Sequence, residues 1–104
     1  MTIEQYVEEI LCAPVTRVGF GYLVEAIELV IDTRDHKFYK RLSEIHNTDS
    51  RYLEKAMRDS KNLSLEYMEK KDKERIFGAT IPTTTEFILH AAKDYRRSYE
   101  NKKG

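Results

Sequence analysis

A single cysteine among 104 residues excludes an intramolecular disulfide framework, since Cys12 has no second thiol to meet. No apolar run approaches the ~20 residues that a helix needs to cross a bilayer. Residues 1–9 are acidic and lack the apolar segment of a secretory signal. The expectation is a cytoplasmic chain with no membrane contact. Chemistry-bearing patterns are equally sparse. His36, His46 and His90 have no metal-ligand spacing among themselves or with Cys12. Cys12 ends an apolar stripe and reads as a small core residue. Gly19-Phe20-Gly21 resembles a piece of a phosphate loop but lacks the third glycine and a preceding strand. Carboxylate pairs such as Glu8-Glu9 fall where a helix exposes them to water, so nothing raises a pKa for acid–base work. The sequence therefore points to no enzyme, no metal and no cofactor.

Net charge is also absent: 18 bases balance 18 acids. Their distribution is uneven. Residues 1–33 hold six acids and one base, a balance of −5, and the other 71 residues hold 17 bases and 12 acids, a balance of +5. A charge run is usually a solvated helix face, but a chain polarised end to end can offer a basic side to phosphates.

What is present is helical periodicity. Charged residues make up 35% and hydrophobic ones 40%, which suits one small all-α domain over residues 1–104. We expect about five helices. The first spans 3–11, with Thr2 as N-cap, and Pro14 ends it. Residues 13–21 read as a connector. The second helix spans 22–33 and carries the strongest stripe, Leu23, Ala26, Ile27, Val30 and Ile31. A short third helix places Phe38, Leu42 and Ile45 on one side, and residues 46–49 form a polar turn.

The fourth helix, 49–68, separates into two faces: Leu53, Ala56, Met57, Ser60, Leu63, Tyr67 and Met68 on one side, and Arg51, Glu54, Lys55, Arg58, Lys61 and Asn62 on the other. Leu65 is the lone leucine on the polar side. Residues 69–75 read as the frayed end of this helix, and Gly78 as a reversal. Residues 79–81 are at most a short extended piece. Thr83-Thr84-Thr85-Glu86 matches a capping box opening a fifth helix to about Tyr99, which buries Phe87, Ile88, Ala91, Ala92 and Tyr95. The tail, about 100–104, is expected to be mobile. Two amphipathic helices joined so tightly, over about 36–68, suggest a helix-turn-helix whose second helix enters the major groove.

Three blocks carry a family resemblance. They are Gly21-Tyr22-Leu23 with Glu25-Ala26-Ile27; Asn47-Thr48 with Leu53-Glu54-Lys55-Ala56-Met57-Arg58; and Phe77-Gly78 with Pro82-Thr83 and Glu86-Phe87-Ile88. In this order the chain resembles the C-terminal DNA-binding effector domain of stage zero sporulation protein A, the sporulation response regulator of endospore-forming bacteria. The resemblance implies an all-helical bundle with a helix-turn-helix and a recognition helix within 49–68. It implies that Glu54, Lys55 and Arg58 face DNA. Thr48 is expected to cap the recognition helix near a phosphate, and Arg51, Lys61 and Asn62 complete the expected DNA-binding face.

Departures fall near that face. Lys55 stands where the family has arginine, Asp59 where it has histidine, Tyr52 where it has arginine, and Ile45-His46 where it has lysine and tyrosine. The region of resemblance begins almost at Met1, so we expect a stand-alone version without the family's receiver domain.

The functional expectation is a sequence-specific transcriptional regulator. Its partner is double-stranded DNA, bound as a monomer, a homodimer or tandem copies on repeated sites, with RNA polymerase as a possible protein partner. The alternative is a protein-interaction module or antagonist that kept the fold and lost the DNA site. Asp59, Glu54 and the zero net charge favour the alternative; the Arg51–Lys55–Arg58–Asn62 face favours DNA.

Overall fold

The computed structural model describes residues 1–100; the tail expected to be mobile lies almost wholly outside them. Six α-helices follow one another: α1 (Ile3–Glu9), α2 (Val18–Thr33), α3 (Phe38–His46), α4 (Ser50–Tyr67), α5 (Lys70–Phe77) and α6 (Thr84–Tyr95). A π-helical turn, Arg96–Glu100, extends α6, and no strand occurs among the described residues, so 79–81 is irregular.

Two helix starts are set by side chains the sequence advertises. Thr2 accepts from the Gln5 amide while the Gln5 side chain accepts from the Thr2 amide. Thr83 and Glu86 do the same at α6, at 3.1 and 2.9 Å. Each box satisfies amides that a helix start otherwise leaves unpaired.

The centre of the core is α2, packed against α1, α3, α4 and α6. Leu23, Ala26, Ile27, Val30 and Ile31 are all buried, as are Phe87, Ile88, Ala91, Ala92 and Tyr95 of α6. The helix begins at Val18, a full turn before the position its stripe implies. Glycines disfavour helix by about 1 kcal/mol each, so residues 18–21 read as a connector. Here packing reverses that preference. At Gly19 the α2 backbone lies directly on α4: a Cβ there falls inside contact distance of the Ala56 carbonyl oxygen and Ser60 Oγ, and 2.8 Å from the Ala56 carbonyl carbon. Ser60 Oγ is buried at this crossing without a hydrogen-bond partner.

The charged stretch after α4 is a separate helix, not a frayed end. Met68 and Glu69 take extended backbone (ψ 148° and 142°) and break α4 from α5. The break is closed by Lys73, whose Nζ donates to the Leu65 carbonyl at 2.9 Å and places a cation at the α4 C-terminus. Ile76 and Phe77 anchor α5, with Phe77 stacked on Phe87 at 4.9 Å. Gly78 ends it at φ 80°, ψ −162°, a conformation glycine adopts without a Cβ clash.

A buried polar network ties the first, fifth and sixth helices. Tyr6, 0% exposed, donates to Asp94 Oδ2 at 2.7 Å, and Arg75 donates to Asp94 Oδ1 at 2.6 Å. Burial, and then the Asp94 hydrogen bond, push the Tyr6 phenol far above its ordinary range. Cys12 differs from expectation: it is half-buried at φ 57°, beyond the end of α1. Burial and the carboxylates of Glu69 and Asp72 push its thiol up, away from the thiolate form.

Candidate nucleic-acid interface

The α3–turn–α4 unit is built from short-range chemistry. Asn47 takes the left-handed conformation (φ 50°, ψ 52°), which asparagine tolerates better than most residues, and the chain reverses there. The Thr48 amide donates back to the Ser43 carbonyl at 3.0 Å and closes α3. Asp49 caps α4: its carboxylate accepts from the Arg51 amide at 2.7 Å. This corrects the sequence expectation, which gave the cap to Thr48. Thr48 is half-buried in the turn, and the neighbouring Asp49 has the longer acceptor with the charge that suits a helix start. The Arg51 backbone and side chain hold the Asp49 carboxyl below its usual range. A depressed carboxyl contributes its stability above its unfolded pKa and loses it as pH falls through the lower folded value, so the cap weakens only in strong acid.

Beneath the turn, Phe38 and Leu42 of α3 meet the core with Leu53 and Met57 of α4, all 0% exposed. At the end of α3, His46 Nε2 lies 2.8 and 3.0 Å from the Glu25 carboxylate oxygens, and its ring meets the Tyr22 ring edge-on at 5.2 Å. The unit is thereby fixed to α2.

The outer face of α4 carries Arg51, Glu54, Lys55, Arg58 and Asn62, all exposed. Arg51 and Lys55 stand furthest out, with side chains 91% and 69% exposed. Each cation has a carboxylate on its own helix: Arg51 with Asp49 at 3.4 Å, Lys55 with Asp59 at 3.1 Å, and Arg58 with Glu54 at 3.4 Å. Three cations and three carboxylates leave this face electrically balanced. The two i,i+4 pairs, Lys55–Asp59 and Arg58–Glu54, contribute about 0.3–0.5 kcal/mol each, so a stronger anion can displace the carboxylate.

Lys61 does not belong to this face. It is 7% exposed and its Nζ donates to the Pro82 carbonyl at 3.1 Å, 21 residues away. Burial, with Arg58 nearby, lowers its pKa. Leu65, the leucine assigned to the polar side, is also buried, and Tyr67, assigned to the core side, is 57% exposed. One cause explains these reversals: residues 78–82 fold over the C-terminal half of α4, lining a cleft with Asn62, Leu65 and Glu66. The buried arc therefore shifts around the helix after Ser60. Lys61→Ala is expected to cost ~1–2 kcal/mol of stability, from the lost hydrogen bond and stem packing. It should leave the affinity for any duplex unchanged, as paired urea melts and anisotropy titrations will show.

Two side chains that the sequence marks as departures near the turn are exposed: Ile45, 62% exposed, and Tyr52, 50% exposed. Ile45 sits at the position expected to point inward from α3. The signal for Tyr52 was available, because it lies outside the Leu53–Met57–Ser60 stripe. Among the described residues, no group of three or more histidine, cysteine or acidic side chains is placed to hold a metal ion, and no helix is long and apolar enough to cross a membrane. No family model matches the chain, and no curated protein shows significant similarity to it.

Proposed function

We propose that the chain is a sequence-specific DNA-binding transcriptional regulator that reads the major groove with α4. The observation that carries this reading is the pairing of a tight helix–turn–helix with an outer α4 face whose cations stand free of the core. The ordered resemblance to the sporulation effector domain supports it independently. On that face Lys55 and Arg58 have the reach and charge to donate to guanine O6 and N7 or to phosphate oxygens. Glu54 suits a cytosine amino group and Asn62 an adenine edge. Binding opens the Lys55–Asp59 and Arg58–Glu54 pairs. Each pair is worth a few tenths of a kcal/mol, whereas a good base contact discriminates by ~1–3 kcal/mol, so the exchange is favourable. The freed Asp59 repels phosphate and confines α4 to registers that keep it off the backbone. Tandem copies on repeated sites are the arrangement that follows from the family resemblance, and RNA polymerase is a partner for the interaction-module alternative.

A second reading rests on a specific observation: Ile45 and Tyr52 are exposed beside the turn, on a face whose charges cancel. That combination suits a protein partner better than a phosphate backbone, and it defines the interaction-module alternative.

Alanine substitution separates the two. On a selected duplex, Lys55→Ala and Arg58→Ala should each weaken binding about ten-fold, the equivalent of ~1.4 kcal/mol. Thermal stability should hardly change, because both side chains are exposed. Unaltered duplex affinity in both variants removes α4 from the recognition surface.

A further inference from the structure

Five of the seven tyrosines meet another ring. Tyr6, Tyr95 and Tyr99 meet one another, Tyr22 meets His46, and Tyr39 meets Phe38. Among the described residues Tyr52 and Tyr67 have no such contact, and they stand at opposite ends of α4. Tyr52 lies in the first turn, is 50% exposed, and its hydroxyl makes no hydrogen bond among the described residues. The ring fills no part of the core and makes no polar tie to another helix.

Its place on α4 is the informative part. In a helix-turn-helix the N-terminal residues of the second helix meet base edges, while the first helix crosses the backbone. Over the first two turns of α4, Arg51, Tyr52, Glu54 and Lys55 are exposed and Leu53 is buried. Ile45, the other exposed apolar side chain near the turn, belongs to α3 and so to the crossing helix. Lys55 follows Tyr52 by three residues, roughly 4.5 Å along the helix axis. Base pairs repeat about every 3.4 Å. The two side chains therefore reach bases one or two pairs apart.

The chemistry of the ring narrows what it recognises there. A phosphate rewards a cation, and the Arg51 side chain, 91% exposed, supplies one in the same turn. Guanine, adenine and cytosine show the major groove hydrogen-bonding groups, which are matched best by forked or charged side chains. Thymine adds an apolar group, its C5-methyl. A methyl laid on an aromatic face removes apolar surface of both partners from water. The neighbouring cations are already balanced, Arg51 by Asp49 and Lys55 by Asp59. An apolar contact adds affinity here without changing the charge of the face.

We infer that Tyr52 is a specificity-determining residue that reads thymine, its ring packed on the C5-methyl group one or two base pairs from the base met by Lys55. The inference rests on the DNA reading proposed above and adds to it the base that the first turn of α4 selects.

The test uses the full chain and the duplex it enriches from a random library, with each thymine of either strand replaced in turn by deoxyuridine, which lacks only the methyl. Anisotropy titrations should find one replacement that weakens parent binding about four-fold, the equivalent of one buried methyl group. The same replacement should leave Tyr52→Ala unaffected, and Tyr52→Phe should keep the parent's penalty. Because the side chain is half exposed and unpartnered, Tyr52→Ala should melt close to the parent. Its affinity should fall with salt as steeply as the parent's, since no charge is lost. A Lys55-dependent motif in which no deoxyuridine position distinguishes parent from Tyr52→Ala overturns this inference and leaves the DNA reading standing. Equal losses in Tyr52→Phe and Tyr52→Ala, with no deoxyuridine penalty, assign the hydroxyl to phosphate and overturn it too. The absence of any enriched motif defeats the DNA reading and this inference together.

Discussion

Gly19→Ala should lower stability by ~3 kcal/mol and the melting temperature by roughly 12–24 °C. The sign matters more than the size. Helix propensity alone favours alanine over glycine by about 1 kcal/mol at an interior position, so a reading confined to α2 expects a more stable protein. The crossing with α4 dictates the opposite. The added methyl meets the Ala56 carbonyl oxygen and carbon, which are backbone atoms and cannot rotate aside. Either α2 moves off α4 or the α4 ladder bends, and both disrupt the contact that orients α4.

Gly21 is the internal control. It lies in the same helix, is exposed, and a Cβ there meets nothing within 4 Å. Gly21→Ala should therefore stabilise by about 0.5–1 kcal/mol. Ser60→Ala should not rescue Gly19→Ala, because the obstructing atoms at Ala56 remain. Urea melts of these variants decide the matter; a neutral or stabilising Gly19→Ala would contradict the packing described.

The second large effect belongs to Asp94. Asp94→Ala removes the acceptor of a fully buried phenol and the partner of Arg75 in one step. An unsatisfied buried hydroxyl costs ~1–3 kcal/mol. The Arg75 contribution is smaller, since that side chain is 45% exposed and water replaces much of the pairing. We expect a total of ~2–4 kcal/mol for alanine and about half of that for Asp94→Asn, which keeps an acceptor for Tyr6. In an Asp94→Ala background Tyr6→Phe should cost almost nothing, because the stranded hydroxyl leaves with it; a double-mutant cycle in urea measures the coupling. The phenol also sets an alkaline limit. Its folded pKa is raised above the unfolded value near ~10, so its contribution is complete below that pH and declines by about 1.4 kcal/mol per pH unit above it. Tyr6→Phe should flatten that decline.

The parts of this fold legible in the sequence are those with a local cause. The α2 stripe, the Thr2 cap, the Thr83–Glu86 capping box and the polar turn after α3 depend on spacing or on residues three or four apart. What escaped depends on contacts between elements. The first turn of α2 is helical because α4 needs the space a Cβ would fill. The stretch 70–75 shows no apolar periodicity, and α5 is held by Lys73 on the Leu65 carbonyl and Arg75 on Asp94.

The candidate site divides along the same line. Arg51, Glu54, Lys55, Arg58 and Asn62 share the exposed arc that the helical wheel assigns them. Lys61 departs from it because a wheel assumes one cover along the whole helix, whereas residues 78–82 cover only its second half. The ion pairs along α4 have a counterpart in linear spacing, since Lys55–Asp59 and Arg58–Glu54 lie four residues apart on one helix.

The most direct measurement of the central claim is selection from a random duplex library by the intact chain, with binding of the enriched duplex followed across a salt series. The account predicts one enriched motif, an affinity that falls steeply as salt rises through counterion release, and a weaker, shallower response in Lys55→Ala. No enrichment, with only weak binding that vanishes at moderate salt and is indifferent to Lys55, would contradict it and leave the exposed Ile45–Tyr52 surface as the part of the helix-turn-helix in search of a partner.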